Sequence, residues 1–285
     1  MTVADFTDDQ IRRYSRHILL SEVGVDGQRK LLSASALVVG AGGLGSPALL
    51  YLAAAGVGRL GIIDSDVVEL SNLQRQILHG TSDLARPKAM SAQDTITKLN
   101  PDCHVEVFDQ RLDASNVRAV IRGWDVVLDG SDNFPTRFLV ADCCRFEDIP
   151  LVSAAVLRFE GQLMTILPGA GNPCYRCYIP EPPPPGMVPS CQEAGILGAV
   201  AGALGTLQAV EALKLLLGIG DALSHTLLLY DALSGTFTTV KRAPDPACPL
   251  CGGDPTVTDL VQYELSCDGD AWVLGDDDED TARGA

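Results

Sequence analysis

Apolar residues along this chain fall into short blocks that switch between two periods. From residue 6 to 32 they recur at helical spacing, with Ile11, Tyr14, Ile18 and Leu19 on one face. Ala36–Val39 is an uninterrupted apolar run, too short for a helix, and predicts a strand buried on both faces. A helix follows from about Ser46 to Ala55, with Pro47 in its first turn, where its missing N–H is not needed. Arg59–Ile63 predicts a second strand, ending at Asp64. Further strands are expected at 104–108, 124–128, 151–153 and 162–167, and helices at 87–99, 113–122 and 135–147. No internal repeat is present.

The C-terminal half reads differently. Pro182–Pro185, Gly186 and Pro189 form a stretch that cannot be helix or central strand, and predict an exposed linker. Ala194–Val210 has no charged residue. It is interrupted by four glycines and followed at once by Glu211 and Lys214, so a buried helix is expected in preference to a membrane span. Gly198 and Gly202, four apart, predict close approach of another helix at a subunit interface.

Gly40, Gly42 and Gly45 stand in G-x-G-x-x-G spacing between the first strand and its helix. Glycine is needed there because the backbone turns tightly and approaches phosphate without a Cβ, while the helix N-terminus offers N–H groups to the anion. Asp64 lies 19 residues beyond Gly45, where a carboxylate accepts ribose hydroxyls. The expected fold is therefore α/β: a Rossmann-like, mostly parallel sheet with flanking helices, followed by antiparallel strands toward the C-terminus. Taken alone, the motif favours NAD or FAD.

The net charge of −16 argues against direct DNA or RNA binding, which needs a basic footprint. The last 18 residues carry a net −6, leaving about −10 on the rest, and 5 of 21 basic residues are lysine. Such a surface suits a high-salt cytoplasm, and it equally suits an ordinary acidic protein. Residues 1–10 have neither a basic start nor an apolar run, so a cytoplasmic location is expected. Thiols stay reduced there, and C-x-x-C pairs then favour metal or redox chemistry over disulfides. Cys174, Cys177, Cys248 and Cys251 form two such pairs with 70 residues between them. Four thiolates suit a closed, structural zinc site, with two independent redox pairs as the alternative.

The stretch from Asp66 to Gln76, containing Ser71-Asn72-Leu-Gln74-Arg75-Gln76, joins Arg86-Pro87-Lys88 and Ser131-Asp132-Asn133 in a recognisable order. With the paired cysteines these motifs resemble the MoeB/ThiF/HesA family, the bacterial and archaeal relatives of ubiquitin-activating enzymes, from about residue 8 to 252. The resemblance implies ATP-dependent adenylation of the C-terminal glycine of a ubiquitin-like protein. Gly43 would lie against the phosphates and Asp64 would hold the ribose. Ser71, Asn72, Arg75 and Lys88 would contact the triphosphate. Asp132 would position Mg²⁺, with Asn133 beside it. Arg16 would reach the site across a homodimer interface. Cys191, outside the metal pairs, would be a nucleophile forming a thioester or persulfide.

Further expectations follow from that resemblance. The cofactors are ATP, Mg²⁺ and Zn²⁺. The partner is a small β-grasp protein with a Gly-Gly C-terminus, serving sulfur transfer for molybdopterin, thiamine or tRNA thiolation, and in archaea protein conjugation. Sulfur would come from a separate donor. The adenylation unit would span 1–252, with a nucleotide half of about 8–150, a partner and zinc half of about 151–252, and an acidic tail at 253–285. Competing readings are an adenylating tRNA-base dehydratase, an NAD-dependent oxidoreductase and a non-catalytic half of a heterodimer.

Overall fold

The computed structural model describes residues 6–187, 194–265 and 272–274. Its centre is β1 (Ser35–Val39), buried at all five positions. Ala36 and Val38 face one layer of helices, and Leu37 and Val39 face the other. A strand covered on both sides has no polar face to offer, which is why its sequence reads as a continuous apolar run.

β1 lies between β2 (Arg59–Ile63) and β4 (Val126–Asp129), parallel to both. β3 (His104–Phe108) flanks β2, and β5 (Leu151–Leu157) flanks β4, again in parallel. Then β6 (Glu160–Ile166), β7 (Thr226–Asp231) and β8 (Thr236–Lys241) extend the sheet antiparallel, in the order β3-β2-β1-β4-β5-β6-β7-β8. The strand order reverses between β1 and β4, and a doubly wound sheet opens a crevice where two such strands end.

One helical layer contains α2 (Gly24–Ser33), α3 (Gly45–Ala55), α4 (Lys88–Leu99) and α7 (Gly198–Leu217). The other contains α5 (Val117–Ile121) and α6 (Phe134–Phe146). The single helical stretch expected over residues 6–32 is two helices, α1 (Asp8–Ile18) and α2. The chain turns over residues 19–23 between them, and Gly24, with a φ of +59°, opens α2. α1 itself is closed by a capping box between Thr7 and Gln10. β9 (Tyr263–Leu265) and β10 (Trp272–Leu274) form a separate antiparallel pair. Tyr263 docks against Phe138 of α6 at a ring separation of 5.9 Å.

Among the described residues, α7 is the one helix long and apolar enough to cross a membrane. Half of it is buried inside the molecule, and two of its buried side chains are polar. Gln208 Nε2 donates to the Asp129 and Val152 carbonyls at 2.8 and 3.1 Å, and the Glu211 carboxylate accepts from Thr165 Oγ1 at 2.8 Å. Two of the α7 glycines lie against the chain itself. A Cβ on Gly198 would sit 2.3 Å from the Gln74 carbonyl oxygen, and one on Gly205 would sit 2.1 Å from that of Leu44. Gly202 meets nothing within 4 Å. The helix thus lies directly on the segments that follow β1 and β2.

This contact is testable. Gly205→Ala places a methyl group against a backbone oxygen that cannot move aside, so urea unfolding should show a loss of about 1–3 kcal/mol. A wild-type midpoint would contradict the close packing of α7.

Candidate active site and cysteine cluster

At the end of β1 the backbone turns through Gly40, which has a φ of +90° and donates its N–H to the Ile63 carbonyl at 2.8 Å. Gly45 opens α3 so close by that a Cβ there would lie 1.8 Å from the Gly40 oxygen. These two glycines are demanded by the turn. Gly42 is different, because a Cβ on it would meet only the Gln76 side chain, at 3.7 Å. Its bare backbone faces the cleft, which is what close approach of an anion needs.

Asp64, just past β2, braces the same turn. Its carboxylate accepts the Ala41 N–H at 2.8 Å and the Asp66 N–H at 2.9 Å. Burial raises its pKa above the ordinary value, and the nearby Lys88 charge pulls it part of the way back. Lys88, the first residue of α4, is itself buried and donates from Nζ to Asp66 Oδ2 at 2.7 Å. Arg75 Nη1 donates to the Ser71 carbonyl at 3.0 Å. Asn72 is buried, and its Oδ1 closes the Leu70–Asn72 turn by accepting the Glu69 N–H at 3.1 Å.

The loop after β4 forms the opposite wall. Asp129, fully buried, accepts from the Ser131 N–H and hydroxyl at 3.0 and 2.6 Å and from the Ser153 hydroxyl at 3.2 Å. Arg137 Nη2 donates to the Ser131 carbonyl at 2.7 Å. Asn133 caps α6 by accepting the Thr136 N–H at 2.9 Å. Asp132 does not cap the helix: its exposed carboxylate has no hydrogen-bond partner among the described residues. The loop is held rigidly from below while this one acid stays available.

Together these walls enclose a cleft of about 1290 Å³. Gly40, Gly42, Gly43, Asp64, Arg75, Lys88, Asp132 and Asn133 line it, whereas Gly45, Ser71, Asn72 and Arg16 do not. Arg16 is exposed on α1. Cys191 lies outside the described residues. The cleft continues past Asp132 over the antiparallel strands, reaching Gln162, Tyr230, Thr236 and Thr238. It exceeds the roughly 300–1,000 Å³ of an ordinary small-ligand site, leaving room for an extended chain beside a nucleotide.

Two buried residues of the site were not singled out by sequence reasoning. Gln76 lines the cleft with its Oε1 unpaired. His79 is bonded at both ring nitrogens, to Ser91 Oγ at 2.9 Å and to the Ala41 carbonyl at 3.0 Å. Gln76 sat within the quoted motif. A lone histidine gives no signal until its partners, 12 and 38 residues away, are brought to it.

The cysteine pairs do converge. The four Sγ atoms of Cys174, Cys177, Cys248 and Cys251 all lie within 4.8 Å of one another, with separations of 3.8 Å for Cys174–Cys177, 3.5 Å for Cys174–Cys248 and 3.4 Å for Cys177–Cys251. A tetrahedral ion with bonds of about 2.3 Å spaces its sulfurs about 3.8 Å apart, so the cluster fits a tetrathiolate metal centre. Burial pushes the Cys174 thiol far up and the Cys251 thiol up to about 11, whereas, against burial, the Asp245 N–H and the neighbouring thiols hold that of Cys177 below its ordinary value. Gly252 is required by the second pair, because a Cβ would lie 2.6 Å from the Cys248 and Pro246 carbonyl oxygens. Arg242, buried beside the cluster, donates to the Cys174, Pro173 and Thr165 carbonyls at 3.0, 3.3 and 3.4 Å.

A model of the ThiF family matches residues 14–250. The chain belongs to that family. Within it, the SAMP-activating enzyme E1 of Haloferax volcanii is 54% identical over 260 residues, covering 90% of this chain and 95% of that protein. The sulfur carrier protein adenylyltransferase of Thermus thermophilus is 49% identical, covering 92% of this chain and 98% of its own length. The adenylyltransferase and sulfurtransferase MOCS3 of Bos taurus is 50% identical, but the match spans 59% of that longer protein. Among solved structures, E. coli MccB with ATP superposes with a TM-score of 0.74 at 21% identity, over 86% of this chain and 74% of that one. PaaA superposes with a TM-score of 0.71 at 21% identity, over 86% and 77%. At such identities the likeness concerns the ThiF-type fold.

Burial holds the His79 pKa below its ordinary value of 6.5. The folded state therefore binds fewer protons than the unfolded chain in the range just below that value. Stability should be unaffected well above pH 6.5 and should fall as pH drops through it. His79→Gln should flatten this slope in urea titrations run at successive pH values. An unchanged slope would assign it to other groups.

Proposed function

We propose that this protein uses ATP and Mg²⁺ to adenylate the C-terminal glycine of a small ubiquitin-like protein, a sulfur carrier or modifier with a β-grasp fold and a Gly-Gly tail. The observation that carries this reading is the continuous cleft. Its deep end is a phosphate loop with two nearby cations, its middle holds an uncommitted carboxylate, and its outer part runs over open strands. Adenylation activity named for relatives at about half identity supports the same reading.

In the reaction a carboxylate oxygen of the partner attacks the α-phosphorus of ATP. The new oxygen–phosphorus bond forms as the bond to the α–β bridging oxygen breaks, and pyrophosphate leaves with that electron pair. Lys88 and Arg75 neutralise the triphosphate, with Ser71 and Asn72 shaping the turn that presents Arg75. Gly42 and Gly43 bring backbone N–H groups to the phosphates, and Gly40 and Gly45 make the turn that exposes them. Asp64 accepts from the ribose hydroxyls with the lone pairs left over by the loop. Asp132, with Asn133 beside it, would hold Mg²⁺, which would supply positive charge against that developing on the phosphates. Arg16, exposed and away from its own cleft, is suited to entering a neighbouring cleft across a homodimer interface.

The four cysteines hold zinc in a structural role, joining the segment after β6 to the segment after β8. Cys191 takes the activated carbonyl as a thioester with loss of AMP, or carries sulfur as a persulfide. Sulfur comes from a separate donor, for molybdopterin, thiamine or tRNA thiolation, with protein conjugation as a further use. A cytoplasmic site of action agrees with reduced, metal-binding thiols.

Intact-mass analysis of the partner after incubation with ATP reads the product directly. Asp132→Ala should lower AMP transfer at least about 100-fold, with an unfolding midpoint like that of wild type because Asp132 bonds to nothing described. Retained transfer would remove Asp132 from the reaction. Cys191→Ala should keep AMP transfer and lose any thioester. Elemental analysis should find a single zinc ion per chain, and its removal by a chelator should lower the unfolding temperature. A zinc-free protein of equal stability would overturn the structural role.

A further inference from the structure

The Ala41 peptide lies at the heart of the phosphate loop, between Gly40 and Gly42, and is completely buried. The Ala41 N–H and carbonyl belong to successive peptide planes, and each is held by a side chain from elsewhere. The N–H goes to Asp64 at 2.8 Å, and the carbonyl goes to His79 Nε2 at 3.0 Å. A carbonyl can only accept, so Nε2 carries the proton. Nδ1 then accepts from the Ser91 hydroxyl at 2.9 Å. Ser91 lies one turn into α4 from Lys88, and His79 follows the turn that presents Arg75, donating its own N–H to the Gln76 carbonyl at 3.1 Å. One imidazole thus ties together the glycine loop, the Arg75 segment and the Lys88 helix. These are the three elements that face the expected triphosphate.

We infer that His79 is a positioning residue for the nucleotide phosphates: by holding the carbonyl of the Ala41–Gly42 peptide, while Asp64 holds the N–H of the preceding Gly40–Ala41 peptide, it sets the direction of the Gly42 N–H. The inference rests on the cleft being an ATP site. His79 does not touch the nucleotide in this account, and it acts through Ala41 and Ser91. A rotation of the Ala41–Gly42 plane would redirect the Gly42 N–H and misalign a donor whose value depends on geometry fixed in advance. Asp64 alone cannot prevent the rotation, because it grips the preceding peptide plane, and the Ser46 hydroxyl reaches the Ala41 carbonyl only at 3.4 Å.

The test exploits side-chain length. Glutamine places its Nε2–H near the position of the imidazole Nε2–H, whereas asparagine reaches only as far as Nδ1. Both are neutral amides of similar polarity. Calorimetric titration of the full-length protein with ATP and, separately, with adenosine should find His79→Gln within about threefold of wild type for ATP. His79→Asn should be weaker by about tenfold, the loss of a well-aligned bond and the donors it orders. Adenosine affinity should be the same in all three proteins, because it does not use the phosphate loop.

His79→Asn binding ATP as tightly as wild type would overturn the inference alone. So would equal losses in the two variants, or a loss that extends equally to adenosine. Failure of both variants to fold would place His79 in the core and overturn it too. A wild-type protein that binds adenosine and ATP equally weakly would instead overturn the ATP reading beneath it.

Discussion

Everything in this molecule is arranged around the crossing of two backbone segments where β1 and β4 end. Gly45 passes so close to Gly40 that a single added carbon would lie 1.8 Å from an oxygen, and the Gly130 N–H closes the gap by donating to the Val39 carbonyl at 2.9 Å. The contact between Gly130 and Val39 follows from the reversal of strand order at this point, which leaves two strand ends side by side with their connections departing to opposite faces. The cleft is a consequence of topology before it is a consequence of any catalytic side chain. α7 then presses on the same region through Gly205 and Gly198, so the loops around the cleft are packed from behind by a helix far away in sequence.

Buried polar groups carry this constraint outward. Asp129 takes three donors from Ser131 and Ser153 at the foot of the Asp132 loop, and Gln208 satisfies the carbonyls at the ends of β4 and β5. Arg176 and Asp142, both almost wholly buried, pair at 2.7 Å and anchor α6 to the first cysteine pair. Groups of this kind are expensive to bury unless every one is matched, and they hold neighbouring elements in a single arrangement. The cleft therefore sits on a rigid frame, while Asp132 and the bare backbone of Gly42 face it unencumbered. The cysteine cluster acts at the far end of the same frame, where few apolar residues are available to join the segments after β6 and β8.

Much of this was legible in the chain itself, and the exceptions have physical reasons. The unit β1-α3-β2 was readable because a doubly covered strand, a glycine turn and a helix are each encoded within a few residues. The cysteine pairs were readable because their short spacing admits few functions. The break between α1 and α2 was missed because the apolar period continues across the turn at residues 19–23. β7 and β8 were not placed individually. β8 is exposed at every position, so it shows no burial pattern, and its pairing with β7 defines it. Of the two α7 glycines expected at a close approach, Gly198 lies against the chain's own backbone, a contact that no short stretch of sequence encodes, and Gly202 meets nothing within 4 Å of this chain. His79 was invisible for the same reason: its role lies in contacts that only the fold creates.

The central claim is that this rigid cleft activates a protein C-terminus, and pyrophosphate exchange into ATP tests it most directly. Labelled pyrophosphate would be supplied with the purified protein, ATP, Mg²⁺ and each small Gly-Gly-ending protein of the same cell, beside the same partner lacking its final glycine. The account predicts exchange that appears with one or more intact partners and vanishes on truncation. Exchange independent of any partner, or none from a folded, metal-loaded protein with every intact partner, would contradict it.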